Sequence, residues 1–269
     1  MSLESSLSLN KSPKRVEMED VERWSDFGAF VPMCHDTIYE TPVYPIDTRL
    51  NNIIRICTAE QYPYLEVDVV VFRAPDIYPL SKSMMTEAGK KFRHFAQTKY
   101  SLNCGQIEFS GQHDLVGSNY VAVAAGVEGP VGKFANSLDT LVTKTYRRLF
   151  FESLESEDLG PVGSIAICGL YPTGECCYEG MQSAFRVMRK VLEHRLFSDL
   201  KSVVLCPISS EINELREVLA YYFPRNKNEE QLAFYLPRMN YNEWGEVIKE
   251  EKVVKPYKSV FSQSGGYNE

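Results

Sequence analysis

The sequence lacks the features that would assign it to a membrane, secreted or metal-binding class. No apolar run approaches the roughly 20 residues that a bilayer-spanning helix needs. Residues 1–19 are rich in serine and charge and have no apolar core of the kind that a secretory signal carries. The four histidines and seven cysteines show neither the CxxC nor the HExxH spacing of metal sites, so we expect no metal and no cofactor.

Excess positive charge is also missing. The 36 acidic and 29 basic residues leave a net charge of −7, which argues against a protein that binds nucleic acid or a membrane surface mainly by electrostatics. The cysteine count is odd and has no regular framework, which favours reduced thiols and a cytoplasmic or nuclear location. Neither a GxSxG nucleophile elbow nor a phosphate-binding GxxxxGK[ST] loop is present, so the common hydrolase and nucleotidase motifs are excluded.

The sequence does contain alternating apolar strands and amphipathic helices. Apolar, β-branched runs predict strands at residues 52–57, 67–72, 106–109, 120–125, 164–168 and 202–206. Helical spacing of apolar residues predicts helices at 81–100, 137–155, 179–194 and 209–222. Because the valine-rich strands are apolar on both faces, we expect a three-layer α/β/α domain with a mixed sheet of about six strands.

The flanks are less regular. We expect residues 1–20 to be a flexible leader, residues 21–245 to form one domain with an N-terminal arm and a C-terminal extension, and residues 246–269 to be a tail. The arm before Pro45 is rich in proline and aromatic residues, and one hypothesis is that it crosses the ligand cleft. After Pro224 the composition turns polar, which favours an extended segment.

In such sheets, ligands bind beyond the carboxyl ends of the strands, which directs attention to the loops there. Glu60 can accept a hydrogen bond from an exocyclic amine, Arg73 can pair with a phosphate, and Asp76 can orient a water molecule. The alternative interpretation of each of these three residues is a solvated surface charge without a binding role. The loop that contains Arg73 and Asp76 has no glycine to let a diphosphate approach the backbone.

Two other loops at the same edge do contain glycine. Gly126 follows one predicted strand, and Thr173 and Gly174 precede a predicted helix, where backbone N–H groups can cradle an anion. Glu175 would repel a phosphate if it pointed inward. Aromatic residues near the cleft are candidates for stacking against a base: Tyr62, Tyr64, Phe72, Tyr78 and Tyr171.

Three segments in this order resemble the macrodomain family. They are residues 99–106 (KYSLNCGQ), 119–126 (NYVAVAAG) and 164–168 (SIAIC). Residues 222–225 (YFPR) and 235–237 (YLP) are similar to the ganglioside-induced differentiation-associated protein 2 subfamily. The resemblance implies a macrodomain fold, a cleft related to those that bind ADP-ribose and, in a full-length protein, a lipid-binding CRAL-TRIO domain after the macrodomain.

The sequence departs from this family at the residues that hold ADP-ribose. Where binders have Gly-Asp to hold the adenine amine, it has Ala59-Glu60. Where active hydrolases have Asn-Ala-Ala-Asn, it has Phe-Arg-Ala-Pro at residues 72–75. Only Thr173 and Gly174 echo the phosphate loop. Losing several charge-assisted hydrogen bonds, at about 1.5–3 kcal/mol each, would weaken a micromolar site by orders of magnitude.

Two functional hypotheses follow. The first is a divergent, non-catalytic macrodomain that acts as a binding or interaction module for a protein segment, an altered nucleotide or single-stranded RNA. The alternative is a protein that still binds ADP-ribose or a related nucleotide, with weak or no ADP-ribosyl hydrolase activity. In the alternative, Glu60 lies at the adenine, Thr173 and Gly174 lie at the phosphates, and Arg73 or Asp76 lies near the distal ribose.

Overall fold

The computed structural model describes most of the predicted domain. The described residues are 15–28, 41–74, 76–80, 89–99, 102–103, 105–113, 117–127, 135–207, 209–233, 236 and 240–248. The leader up to residue 14, the first part of the predicted helix at 81–100 and the tail from residue 249 lie outside this set.

Seven strands form one mixed sheet. They are β1 (Glu22–Arg23), β2 (Ile54–Ile56), β3 (Val69–Ala74), β4 (Ile107–Gly111), β5 (Tyr120–Ala125), β6 (Ser164–Cys168) and β7 (Ser202–Cys206). Their order across the sheet is β1-β2-β7-β6-β3-β5-β4. The five central strands are parallel, and β1 and β4 pair antiparallel at the two edges.

Six α-helices belong to the described residues. They are α1 (Thr48–Ile53), α2 (Gly89–Thr98), α3 (Ala135–Glu155), α4 (Cys177–Glu193), α5 (Ile212–Tyr222) and α6 (Lys227–Leu232). None of these helices is long and apolar enough to cross a membrane. Residues 69–72 of β3 are all buried, so both faces of the central sheet are covered, as the apolar strand sequence predicts.

The structure corrects some element boundaries. The predicted strand at 52–57 is wrong at its start, because Asn52 and Ile53 end helix α1. Asp47 caps that helix by accepting a hydrogen bond from the Leu50 backbone N–H at 3.0 Å. The predicted count of six strands omitted β1, whose two residues are too short for a recognisable alternation.

The segment after Pro224 is also more regular than the sequence suggested. It contains α6, although its polar composition favoured an extended chain. The side chain of Asn226 accepts hydrogen bonds from the backbone N–H groups of Asn228 and Glu229, both at 3.0 Å, and so caps the helix. Six residues are too few to show a helical period, and a cap of this kind is the local signal that identifies the element.

The described part of the arm packs along the β2 edge. The indole of Trp24 is fully buried and donates to the Phe223 carbonyl at 2.7 Å, and Arg189 donates to the Pro45 carbonyl at 2.9 Å. Helices α4 and α5 begin at the carboxyl ends of strands and run back, so their last residues lie at the opposite end of the sheet. These anchors therefore lie away from the cleft. The hypothesis that the arm crosses the cleft also concerns residues 29–40, which are outside the described set.

Candidate functional site

The carboxyl ends of the five parallel strands meet at one edge of the sheet. The strands end at Ile56, Cys206, Cys168, Ala74 and Ala125 in their spatial order. The loops after β3, β6 and β7 are neighbours because β6 lies between the other two strands. We refer to the space over the ends of these three strands as the crevice, and it is where a ligand of this architecture would bind.

Arg73 and Asp76, both predicted site residues, pair with each other in the crevice. The Arg73 guanidinium donates from Nη2 to Asp76 Oδ2 at 2.7 Å and from Nε to Asp76 Oδ1 at 3.3 Å. It also donates to the Gly169 carbonyl at 3.4 Å. Burial acts to lower the pKa of Arg73, but the hydrogen bond and charge of Asp76 outweigh it, so the pKa is raised.

Tyr78 bridges the loops on either side of β6. Its backbone exchanges two hydrogen bonds with Arg73, both 3.1 Å long, which close the turn after β3. Its hydroxyl then donates to the carbonyl of Pro207, after β7, at 3.0 Å. The side chain of Tyr78 therefore crosses the end of β6, and the Arg73 guanidinium lies over its ring at 5.1 Å from the centroid.

Gly126 and Gly169 make room for side chains in the crevice. A Cβ on Gly126 would lie 2.6 Å from Arg73 Cδ, so this glycine lets the stem of Arg73 lie against the backbone. A Cβ on Gly169 would lie 3.1 Å from the ring of Tyr171, which folds back over its own loop. The loop after β6 is tied to the loop after β5 by a hydrogen bond from Val127 to the Leu170 carbonyl at 2.9 Å. Both glycines thus accommodate the protein's own side chains.

The other predicted site residues lie at the surface. Glu60 is exposed in a turn that Thr58 and Gln61 close through hydrogen bonds of 3.0 and 3.3 Å. Thr173 and Gly174 are exposed ahead of α4, and a Cβ on Gly174 would meet nothing within 4 Å. The structure therefore brings Arg73, Asp76 and Gly126 together. It leaves the other three predicted site residues exposed at the surface, namely Glu60, Thr173 and Gly174.

Three of the aromatic residues considered for stacking are not accessible to a ligand. Tyr62, Phe72 and Tyr171 are 0%, 0% and 3% exposed. Tyr62 lies beneath the sheet ends and donates to the Ala166 carbonyl at 2.9 Å, while its ring contacts Phe72 edge to face. The prediction of a stacking role is wrong for these three because they fill the core. Tyr64 and Tyr78 are half-buried.

Glu211, which the sequence analysis did not select, is a buried acid near Arg73. It is 8% exposed, and its Oε2 atom has no hydrogen-bond partner among the described residues. Burial raises the pKa of the Glu211 carboxyl, whereas a hydrogen bond from the Cys177 thiol and the charge of Arg73 act in the opposite direction. The sequence shows only that Glu211 stands in the first turn after β7, and the tertiary fold shows that it is buried.

A row of three buried thiols lies beneath the crevice. The register pairs Cys168 with Cys206, and Cys57 follows β2 next to Cys206. A hydrogen bond with Cys57 and burial both raise the pKa of Cys206, and burial raises that of Cys168. Cys168 and Cys206 are therefore protonated and unreactive while buried. Among the described residues, no group of three or more His, Cys, Asp and Glu side chains is arranged to hold a metal ion.

Comparison with known proteins places the fold. No family model and no curated protein matches the sequence. Solved structures do match, and they define the class: the chain has the macrodomain fold. The macro domain of ganglioside-induced differentiation-associated protein 2 aligns over 79% of this chain and 98% of its own, with a TM-score of 0.63 and 16% identity.

A second structure gives the same result. A macrodomain of Trypanosoma brucei in complex with ADP aligns over 77% of this chain and 78% of its own, with a TM-score of 0.53 and 18% identity. The resemblance to macrodomains that the sequence motifs indicated, and the similarity to the first of these two proteins, are confirmed. At these identities the comparison establishes the fold.

Proposed function

We propose that this chain is a divergent, non-catalytic macrodomain that acts as a binding module and does not take up ADP-ribose. The observation that carries the proposal is the bridge over β6 formed by Arg73, Asp76 and Tyr78. It joins the loops after β3, β6 and β7 through side-chain contacts to Gly169 and Pro207. A diphosphate placed between these loops would have to displace all of these contacts.

The charges around the crevice support the same conclusion. Asp76 is 53% exposed at the mouth, and Glu211 lies on the inner side within electrostatic reach of Arg73. One guanidinium thus faces two carboxyl groups. While Asp76 stays paired with Arg73, a dianionic diphosphate would meet no net positive field, and the cost of bringing it close to an acid is largest where water is excluded.

A catalytic role has little support in the geometry. The Asp76 carboxylate accepts two hydrogen bonds from Arg73, so both of its oxygens are directed at the guanidinium and not at a water molecule or a substrate. The Cys168 thiol is protonated because burial raises its pKa, and the Cys206 thiol is protonated because a hydrogen bond with Cys57 and burial both raise its pKa. We therefore assign no general base and no nucleophile to this site.

One feature favours the alternative of a retained nucleotide site. Thr173 and Gly174 are exposed just ahead of α4, and the Thr173 side chain makes no capping hydrogen bond there. Free backbone N–H groups at a helix start attract an anion. In this alternative, Thr173 and Gly174 contact a phosphate, Glu60 contacts a base amine, and the Arg73 side chain swings out of the crevice.

Calorimetric titration of the purified chain with ADP-ribose separates the two functions, with AMP and a short oligoadenylate run in parallel. We expect no saturable heat up to millimolar ligand, because the contacts of Arg73, Asp76 and Tyr78 join the loops between which a diphosphate would bind. Saturable micromolar binding of ADP-ribose would contradict the proposal. In that event a hydrolysis assay follows, and loss of turnover in Asp76→Ala would assign the catalytic role to that carboxylate.

A further inference from the structure

Arg73 has contacts besides Asp76 that hold its guanidinium in the crevice. Its stem lies against Gly126, where a Cβ would come within 2.6 Å of Arg73 Cδ. Its Nη1 atom donates to the Gly169 carbonyl at 3.4 Å, and the guanidinium lies over the Tyr78 ring. These three contacts leave the Nε and Nη2 edge of the guanidinium directed at Asp76.

Asp76 is the replaceable member of the pair. The Asp76 side chain is 53% exposed, whereas that of Arg73 is 14% exposed. An ion pair with one partner in solvent contributes little to stability, so the cost of separating Asp76 from Arg73 is small. The two carboxylate oxygens of Asp76 accept hydrogen bonds from Nε and Nη2 of the guanidinium. A guanidinium binds carboxylates and phosphates in general through two such parallel hydrogen bonds.

We propose that Arg73 is the centre of a subsite for an oxyanion of the ligand, a carboxylate or a phosphate, and that Asp76 occupies this subsite in the free protein. The ligand group enters from the solvent side, so the contacts of Tyr78 and Gly169 stay in place. The inference rests on the proposed function, because it supplies the chemistry of a group that the binding module recognises.

The decisive variant is Asp76→Asn, which keeps the shape of the side chain and removes its charge. Inorganic pyrophosphate and succinate serve as the phosphate and carboxylate probes, measured by calorimetry at low ionic strength, where exposed charges are least screened. We expect Asp76→Asn to bind at least one probe about three- to fivefold more tightly than the unmodified chain. The probe that gains identifies the chemical source of the oxyanion.

Glu152→Gln is the matched control. Glu152 forms an exposed pair with Arg148 on α3, where the side chains are 34% and 47% exposed. The substitution removes the same unit of charge from the molecule and leaves the crevice untouched. We expect its affinities to equal those of the unmodified chain. An equal gain in both variants would overturn the proposal, since net charge would then account for it.

The double variant Asp76→Asn with Arg73→Gln tests the site itself, and we expect it to lose the gain. Retention of the tighter binding would place the anion elsewhere and overturn the proposal. If the double variant with Arg73→Gln does not fold, Asp76→Asn is combined with Arg73→Lys instead. Lysine keeps the charge but lacks the paired nitrogens of the guanidinium edge, so we expect this double variant to keep only part of the gain. A folded Asp76→Asn that binds neither probe more tightly also refutes the subsite. The proposed function is tested separately, by ADP-ribose binding to the unmodified chain.

Discussion

Among the arginines that pair with an acid three or four residues further along the chain, Arg73 and Arg225 are held differently by the structure. At the crevice, Arg73 pairs with Asp76, whose side chain is 53% exposed. Under the arm, Arg225 pairs with Glu229, and these side chains are 8% and 0% exposed. Arg225 also lies over the Trp24 ring at 3.7 Å and donates to the Phe27 carbonyl at 2.7 Å.

The difference shows that the burial of the acid decides what an ion pair does. A buried carboxylate that loses its partner has no water to replace it, so Arg225 and Glu229 stay together and fix the arm to α6. An exposed carboxylate is solvated whether or not it is paired, so Asp76 is free to exchange with another anion. The first pair is structural, and the second is suited to recognition.

The largest expected effect is that of Glu229→Gln. It leaves the Arg225 charge buried without a counterion, and we expect a loss of about 3–5 kcal/mol in the free energy of unfolding, measured with urea. Glu152→Gln, which breaks an exposed pair, should cost no more than about 1 kcal/mol. Similar losses in the two variants would contradict the distinction between buried and exposed pairs.

Tyr78→Phe should have an intermediate effect. It removes the hydrogen bond to the Pro207 carbonyl, which we expect to cost about 0.5–1.5 kcal/mol. Tyr120→Phe is the matched control, because it removes a single hydrogen bond, from the Gly160 N–H, at the other end of the sheet. Of the two, only Tyr78→Phe should speed the reaction of Cys206 with a thiol reagent. Equal rates in both variants would mean that Tyr78 does not cover the crevice.

Glu211→Gln should change the pH dependence of stability. Because burial raises the pKa of this carboxyl in the folded state, its ionisation costs stability as pH rises from its ordinary value through the raised one. We therefore expect the variant to gain stability relative to the unmodified chain on going from about pH 5 to about pH 8, as measured by urea unfolding. A constant difference across this range would show that Glu211 ionises as it does in water.

The smallest effect should be that of Asp76→Asn on stability. Because its carboxylate is more than half exposed, we expect a change within about 1 kcal/mol in the free energy of unfolding. Thermal unfolding of the variant beside the unmodified chain is the measurement. A loss as large as that of Glu229→Gln would show that Asp76 is a fixed part of the loop, and the two arginines would then be alike.

Most of the fold was predictable from hydrophobic pattern alone. The runs at 120–125, 164–168 and 202–206 are strands with those bounds, because each is apolar after its first residue and is followed by glycine or proline. The pattern failed at Asn52 and Ile53, where a β-branched run continues out of a helix that Asp47 caps. It also failed at β1 and α6, which are too short to show a period.

The site was less predictable, for a physical reason. Arg73, Asp76 and Gly126 were identified as strand-end residues that meet a ligand, and the structure places them together but has them contact one another. This pairing depends on the turn between Arg73 and Tyr78, in which Ile77 adopts a φ of 52° that is rare for a β-branched residue. The burial of Glu211 likewise results from packing between distant segments, which a local pattern does not encode.

The two-residue strand β1 also protects the edge of the sheet from strand pairing with other molecules. All three residues of β2 are buried, and β1 pairs with the edge that β2 would otherwise present. Glu22 and Arg23 are both charged and exposed, and a short, charged border is a poor template for a further strand. Detachment of the arm would leave the edge of β2 open to strand pairing between molecules, so the Trp24 anchor also protects against aggregation.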